Sequence, residues 1–311
     1  MRVARWTLWI VILVGVFAPI LANDRPIIAK VNGELRFPAL GTYVGDRSPA
    51  PGHRSWREWW ETLPEDGGGF AIMPLIPYGP IENTANANEP PTWEHLLGTD
   101  ETGRDLLALL VHGATTAVLV GLGVAVLAAL LGISLGALAG YSGGLADLVI
   151  SRIIEVMVCF PALLLVLAVA AFAGHSITGV ILVLAALYWV AFARIVRGEF
   201  LSLREREFVL AARGLGVSRA QVLFRHMLPV VRGPLWVTGA FLMVNAMVVE
   251  ATLTFLGLGG GTGSSSWGAL LKQGKEHAHE GAWHLWAFPA LVLASVVCAL
   301  HALADDRRGK A

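Results

Sequence analysis

Charge is scarce in this sequence. Charged residues make up 15% of the 311 positions, against about 25% in a typical soluble domain, and the mean hydropathy is +0.63. The formal net charge is +0, which argues against a nucleic-acid binder working through a basic face. Cysteine is nearly absent. Cys159 and Cys298 stand far apart, each within an apolar run and without metal-ligand spacing, so they read as two small buried hydrophobes. The phosphate-binding pattern G-x-x-x-x-G-K-[ST] is missing altogether, and the glycine-rich run at 257–266 offers no lysine where the pattern needs one. A chain that cannot bind ATP in this way must draw any energy for work from a partner.

What the sequence has in abundance is long apolar runs. The first, 6–22, follows Arg2 and Arg5. A cleaved signal peptide shows the same pattern, but Ile20 and Ala22 make a poor small-x-small site and further spans follow, so a retained first span is preferred. Others cover 115–139, 150–173, 177–195, 235–258 and 283–303. Each is near the ~20 residues that cross a hydrocarbon core, which predicts six transmembrane helices in an all-α polytopic membrane protein. The basic flank of the first span places both termini in the cytoplasm by alternation. Arg194, Arg197, Arg204, Arg206, Arg213, Arg219, Arg225 and Arg232 then crowd one inner segment, as do Arg307, Arg308 and Lys310 in the tail, in agreement with the positive-inside rule.

Between the first two spans lies a polar, Pro- and Gly-rich insert holding Trp56, Trp59, Trp60 and Trp93. Residues 27–37 read as a β-hairpin turned by Asn32-Gly33, both tolerant of positive φ. Asn83, Asn86 and Asn88 suggest loop, and no independent core is assigned to the insert. Residues 101–113 read as an amphipathic helix capped by Asp100, lying in the outer interface before turning into the second span.

Residues 207–229, EFVLAARGLGVSRAQVLFRHMLP, sit between spans yet are too charged for lipid. Phe208, Ala211, Ala212 and Leu215 recur at helical spacing. Gly214 and Gly216 break that helix, Ser218 with Gln221 forms a capping box for a second one, and Pro229 is expected to stop it. Two short helices around a small-residue corner make a knob that another protein's groove could receive. An amphipathic loop lying on the membrane surface fits equally well.

The same stretch resembles the signature loop of binding-protein-dependent ABC importer permeases, Glu-Ala-Ala, three residues, Gly, then a hydrophobic-x-Leu-Pro ending. Ala211, Ala212, Gly216 and Leu228-Pro229 match, while Leu210 replaces the Glu and His226 takes the hydrophobic position. HLLGTDETGRDLLALLVHGA at 95–114, GYSGG at 140–144, EVMVCFPALLL at 155–165, ARIVRGEFLSLRE at 193–205 and EATLTFLGLG at 250–259 are similar to the dipeptide/oligopeptide/nickel branch. The insert from Leu21 to Leu40 resembles the Yej-type importer of peptides and microcin C. One departure is a start very close to the first span, where such relatives carry a longer basic arm.

The resemblance implies a type I ABC importer permease fold in the bacterial inner membrane, with a first helix at 1–22, a periplasmic insert at 23–98 and a permease core at 99–311. A coupling-helix loop at 199–232 would dock on an ATP-binding subunit. Glu207, Leu210, Ala211, Ala212, Arg213, Gly214, Gly216, Ser218, Arg225, Leu228 and Pro229 are the candidate coupling residues. The implied partners are a second homologous permease, two ATP-binding subunits, a periplasmic peptide-binding protein and the lipid bilayer, with no nucleic acid, cofactor or metal. A nickel importer of the same family is the alternative.

Ser142 lies in a G-x-S-x-G match, but that elbow needs a preceding strand and here a membrane helix precedes it. An intramembrane serine hydrolase would also have to draw its histidine from the opposite face. His277, His279 and His284 lack the i, i+4 spacing of a zinc helix and read as a solvated loop. Glu250 is the one carboxylate well inside a span, with Asn245 before it. A charge there tends to face a cavity or a polar partner, so the pair is expected at the translocation path or permease interface, or else in a structural hydrogen bond within the bundle. Glu155 reads as an interfacial or helix-end charge.

Overall fold

The chain is largely helical. The computed structural model describes residues 2–31, 34–44, 48, 52–53, 55–66, 70–161, 166–167, 176–259 and 265–308. The long helices are α1 (Arg2–Leu21), α4 (Leu106–Ser142), α5 (Gly144–Cys159), α6 (Ile177–Leu203), α9 (Leu228–Phe255) and α11 (His284–Arg308). Short elements stand between them: β1 (Ile28–Val31), β2 (Glu34–Arg36), α2 (Pro38–Gly41), α3 (Trp56–Asp66), β3 (Phe70–Ile72), α7 (Glu207–Gly214), α8 (Arg219–Gln221) and α10 (Trp267–Glu276). Among the described residues, five helical segments are long and apolar enough to cross a membrane: Val3–Leu21, Leu106–Ser142, Ile177–Leu203, Arg219–Phe255 and His284–Ala302. The expected span at 150–173 begins within α5, whose C-cap Phe160 is extended. Its remainder falls mostly at 162–165 and 168–173, outside the described residues.

Two expectations about α4 need correction. There is no separate interfacial helix at 101–113: α4 runs unbroken for 37 residues from Leu106, and its N-terminus is capped by Asp105, whose Oδ1 accepts from the Ala108 N–H at 2.7 Å. The turn expected at 140–152 shrinks to Gly143, with φ 63°, between α4 and α5.

The chain divides into two compact units, residues 1–118 with 254–311, and residues 119–253. In the first unit α1 and α10 pack against α11. Pro19 lies inside α1 and lacks the N–H that would bond the Gly15 carbonyl. The Thr115 hydroxyl donates to that carbonyl at 2.7 Å instead, which is how a proline is tolerated in a membrane helix. A Cβ on Gly15 would stand 2.7 Å from the Ala114 carbonyl oxygen, so the two backbones meet there.

The insert of this unit holds a three-stranded antiparallel sheet in the order β2-β1-β3, with Val31 opposite Glu34 and Ala29 opposite Ala71. The two strands of the expected hairpin are present, and its turn at 32–33 lies outside the described residues. Contrary to expectation, the insert has a small core of its own. Ala29, Val31, Trp56 and Trp59 are buried together, the two indoles edge to face with centroids 5.5 Å apart. Strands of three or four residues are too short for alternation to register, so β3 and this core escape a periodicity reading.

Residues 95–105 form a buried polar knot. Asp100 accepts from the Thr102 N–H and hydroxyl and from the backbone N–H, Nε and Nη2 of Arg104, at 2.5–2.9 Å. Asp105 Oδ2 stands 2.9 Å from His95 Nδ1, and His284 Nε2 lies 3.1 Å from the Thr99 carbonyl. His284 is thus buried, not part of a solvated histidine loop. Among the described residues no group of three or more His, Cys, Asp or Glu could hold a metal ion.

The second unit contains a glycine ridge. Cβ atoms on Gly132, Gly136 and Gly140 of α4 would strike α6: the first at the Trp189 carbonyl, the second 2.6 Å from the Ala193 carbonyl oxygen, the third 2.7 Å from Phe200 Cβ. Small residues every fourth position let two membrane helices approach to backbone contact. Cys159 and Cys298, expected buried, are both exposed. The outward face of a membrane helix meets lipid and is as apolar as its packed face, so apolar context does not imply burial.

Candidate functional site

The segment between α6 and α9 is built as two helices about a fixed corner. α7 begins with Glu207 in its first turn and Arg213 in its last, each complementing the helix dipole. It ends in a Schellman arrangement: Gly216 N–H donates to Arg213 O at 3.0 Å and Val217 N–H to Ala212 O at 3.1 Å. Gly216 carries φ +77°, a conformation a side chain would strain. The Ser218 hydroxyl then caps α8, accepting from Gln221 N–H at 3.4 Å and bonding Gln221 Oε1 at 3.1 Å.

Pro229 does not stop this second helix. Chain 219–255 is helical throughout, passing through a π turn at Val222–Met227 in which Leu228 N–H reaches back to Leu223 O. A proline ring in a regular helix clashes with the carbonyl four residues earlier, and the widened π turn gives Pro229 the room to continue. The second short helix is therefore a continuous extension of α9.

One side of the element is locked down. Val209, Ala212, Val222, Met227 and Val231 are buried against Val196, Phe200 and Leu203 of α6, with Tyr141 and Val217 at the edge. Arg213 lies over the Tyr141 ring, 4.6 Å from its centroid, a cation–π contact. Arg197 binds Asp147 through both carboxylate oxygens, Nη2 to Oδ2 at 3.1 Å. Hydrogen bonding from Arg197 holds the Asp147 carboxyl below the usual carboxylate range, with burial opposing.

The other side is open and apolar. Leu215 is 84% exposed and Phe224 69%, and Phe208 and Leu210 are exposed beside them. The stripe of Phe208, Ala211, Ala212 and Leu215 does not share one environment: Ala212 turns inward with Val209, while Phe208, Ala211 and Leu215 turn out. Of the other candidates, Glu207, Leu210, Arg213, Gly214, Gly216, Ser218, Arg225 and Pro229 are exposed and Leu228 is half-buried. The element gathers all eleven. A pattern reading had no place for Tyr141 or for the Gly132–Gly136–Gly140 ridge, although the four-residue glycine spacing was visible in the sequence.

Asn245 and Glu250 are not brought together. They lie five residues apart on α9, about 140° around a helix of ~100° per residue. Asn245 is exposed and accepts from the Tyr188 hydroxyl at 3.0 Å, whereas Glu250 is 5% exposed. Glu155 pairs with Arg152 at 2.5 Å on the exposed side of α5. Ser142 closes a helix rather than following a strand, so no nucleophile elbow exists.

Several helices long and apolar enough to cross a membrane, with a two-helix element that leaves an apolar face open, define an integral membrane protein. Comparison with known proteins says which. Residues 132–309 match the family model described as the binding-protein-dependent transport system inner membrane component. A protein of Brucella suis biovar 1 named as a peptide transport system permease is 38% identical over 220 residues, 71% of this chain and 74% of its own length. The dipeptide transport system permease protein DppC of Alkalihalophilus pseudofirmus is 34% identical over 226 residues, 73% and 74% of the two chains. Among solved structures, a chain of the inward-facing MetNI methionine ABC transporter superposes with a TM-score of 0.50 at 18% identity, over 65% of this chain and 95% of that one, a likeness of fold. The chain belongs to the binding-protein-dependent ABC importer permeases, a family of transport subunits rather than enzymes.

Proposed function

We propose that this chain is the peptide-translocating permease subunit of an ATP-driven importer in the bacterial inner membrane, with both termini cytoplasmic. It pairs with a second, homologous permease, and two ATP-binding subunits drive the pair. A periplasmic binding protein delivers the peptide. The observation that carries the reading is the exposed apolar face of Phe208, Leu210, Leu215 and Phe224 on an element whose opposite face is locked to α6. Such a face is unfavourable in water, and a groove in each ATP-binding subunit would cover it. Because α8 continues into α9 without a break, movement of the docked element tilts a membrane helix directly. The coupling then lies in differential packing of the helices in two states. Peptide as substrate follows the names of the Brucella and Alkalihalophilus relatives; the resemblance of the insert to the Yej-type importers supports oligopeptides or microcin C-like compounds within that class.

The test is purification in mild detergent with associated subunits, followed by ATPase assays with and without binding protein and candidate peptides. Co-purification of an ATPase whose rate rises with loaded binding protein is the expected result. Absence of any ATPase under mild conditions overturns the reading, and stimulation by nickel rather than peptide overturns the substrate.

A further inference from the structure

We propose that residues 37–44 form a membrane-seated strap, which lays an apolar face into the lipid leaflet at the Leu21 end of α1. The segment comprises α2 and a 3₁₀ turn at Thr42–Val44. One side is occupied: Pro38 and Ala39 are buried, and the Ala39 N–H donates to Pro26 O at 3.1 Å. The other side carries Phe37, Leu40 and Tyr43, all large and all roughly half exposed. A spacing of three puts them within ~120° on an α-helix and in line on a 3₁₀ helix, so they form one face.

Two bonds fix the height of this face. Asn23 Nδ2 donates to the Thr42 hydroxyl at 3.2 Å, which places the strap backbone just beyond the end of α1. The Tyr43 hydroxyl donates to the Val16 carbonyl at 2.7 Å, so the ring reaches back along the helix. α1 has 20 residues, roughly 30 Å, which matches the hydrocarbon thickness. Val16 lies five residues before Leu21, roughly 7.5 Å along the axis at 1.5 Å per residue. That is within the ~5–10 Å to which interfacial helices seat their apolar faces.

The occupant is lipid because the face continues the exposed apolar stripe of a helix long and apolar enough to cross a membrane. Trp6, Trp9, Leu13 and Val16 form an exposed stripe along α1, and Tyr43 attaches at the Val16 end of it. The tyrosine also has the form suited to that boundary, an apolar ring with a hydroxyl satisfied by backbone. The strap thereby ties the insert to a fixed depth, which a sheet tethered by flexible chain alone would lack.

The test uses the full chain in its transporter, reconstituted in liposomes. Cys159 and Cys298 are replaced by Ala, and single spin labels are placed through Phe37→Cys, Leu40→Cys and Tyr43→Cys. Lys30→Cys, exposed on the sheet, is the water control, and Leu13→Cys is the lipid control. Accessibility to oxygen and to a water-soluble nickel chelate is compared by power saturation. Labels at 37, 40 and 43 that favour oxygen as Leu13 does support the strap. Labels that admit the nickel chelate as Lys30 does overturn it. Labels shielded from both reagents also overturn it, in favour of a covering protein. On the unsubstituted protein, a lipid-partitioned carbene reagent should modify residues 37–43 as it does the outer turns of α1; no modification there overturns the proposal independently.

Discussion

The polar knot at 95–105 and the two-helix element at 204–231 solve opposite problems. In the knot, charge is hidden: Asp100, Arg104, Asp105, His95 and His284 are all buried, and Asp100 is met by five donor groups. In the element, apolar surface is displayed: Leu215 and Phe224 stand clear of the chain while small residues and caps hold the backbone beneath them. The first region gains by satisfying the Asp100 carboxylate and the His95–Asp105 pair internally. The second keeps a face unsatisfied, and a chain does that only where something else completes it. Substitutions should therefore act on folding in the knot and on partnership in the element.

The largest effect is expected at Asp100. Asp100→Ala leaves Arg104 buried without its carboxylate and strands the Thr102 and Arg104 backbone N–H groups. Removing one partner of a buried pair costs about 3–5 kcal/mol, enough to unfold many domains. Loss of the monodisperse peak in detergent, or a large fall in thermal midpoint, would confirm it. A variant as stable as the parent would show that the knot is surface decoration.

Next is the glycine ridge that supports the element. Gly136→Leu inserts a side chain where even Cβ would stand 2.6 Å from the Ala193 carbonyl oxygen. Overpacking of this kind costs about 1–3 kcal/mol. α4 and α6 should separate and the buried row of Val196 and Val209 loosen with them. Thermal stability and the peptide-stimulated ATPase should fall together, since the damage lies under the element rather than on it. A stable variant with normal stimulation would remove the ridge from the argument.

A smaller loss is expected at Ser218, which caps α8. Ser218→Ala should cost about 1 kcal/mol, within the 0.5–2 kcal/mol range of lost caps. It is read as a modest drop in thermal midpoint, and Ser218→Asp should restore it. No change in either variant would mean that the continuity of α8 with α9 already supplies the stability attributed to the cap.

How much of this was legible beforehand depended on how local the determinant is. Helix-crossing length follows from run length, so the place of five spans stands in the sequence, while the helices α4, α6 and α9 run seven to nine residues beyond the apolar run at one end. Gly216 and Ser218 act on backbone groups at most five residues away: the glycine turn and the Ser218 cap are present, although the Gln221 side chain accepts from the Ser218 hydroxyl rather than from its N–H. Errors arose where a choice depended on the far side of the fold. Asp100 and Asp105 are equally good caps on paper, and only the packing of Arg104 and His95 decides between them. The period of Phe208, Ala211 and Leu215 was real, but a period does not say whether an apolar face meets the core or a partner. Pro229 reads as a stop because a π turn leaves no mark in composition. Trp56 and Trp59 find Ala29 and Val31 across more than twenty residues, a pairing that strand patterns this short cannot announce.

The substitution that separates the two regions most sharply should barely touch stability. Leu215→Asp sits at the helix corner, 84% exposed, beside Gly216 and away from the buried row. Surface changes of this kind alter folding by no more than about 0.5 kcal/mol, so yield, elution profile and thermal midpoint should match the parent. A carboxylate placed in an apolar contact must be desolvated on docking, an uncompensated cost at an interface. The expected outcome is a normally folded chain that retains ATP-binding subunits poorly and loses most of the ATPase stimulation by loaded binding protein. Leu215→Met, which keeps the apolar contact, should retain both. If Leu215→Asp assembles and stimulates as the parent does, the open face is not the docking surface, and the contrast between a closed knot and an open element loses its functional meaning. If it unfolds the chain, the element belongs with the knot as a piece of the fold.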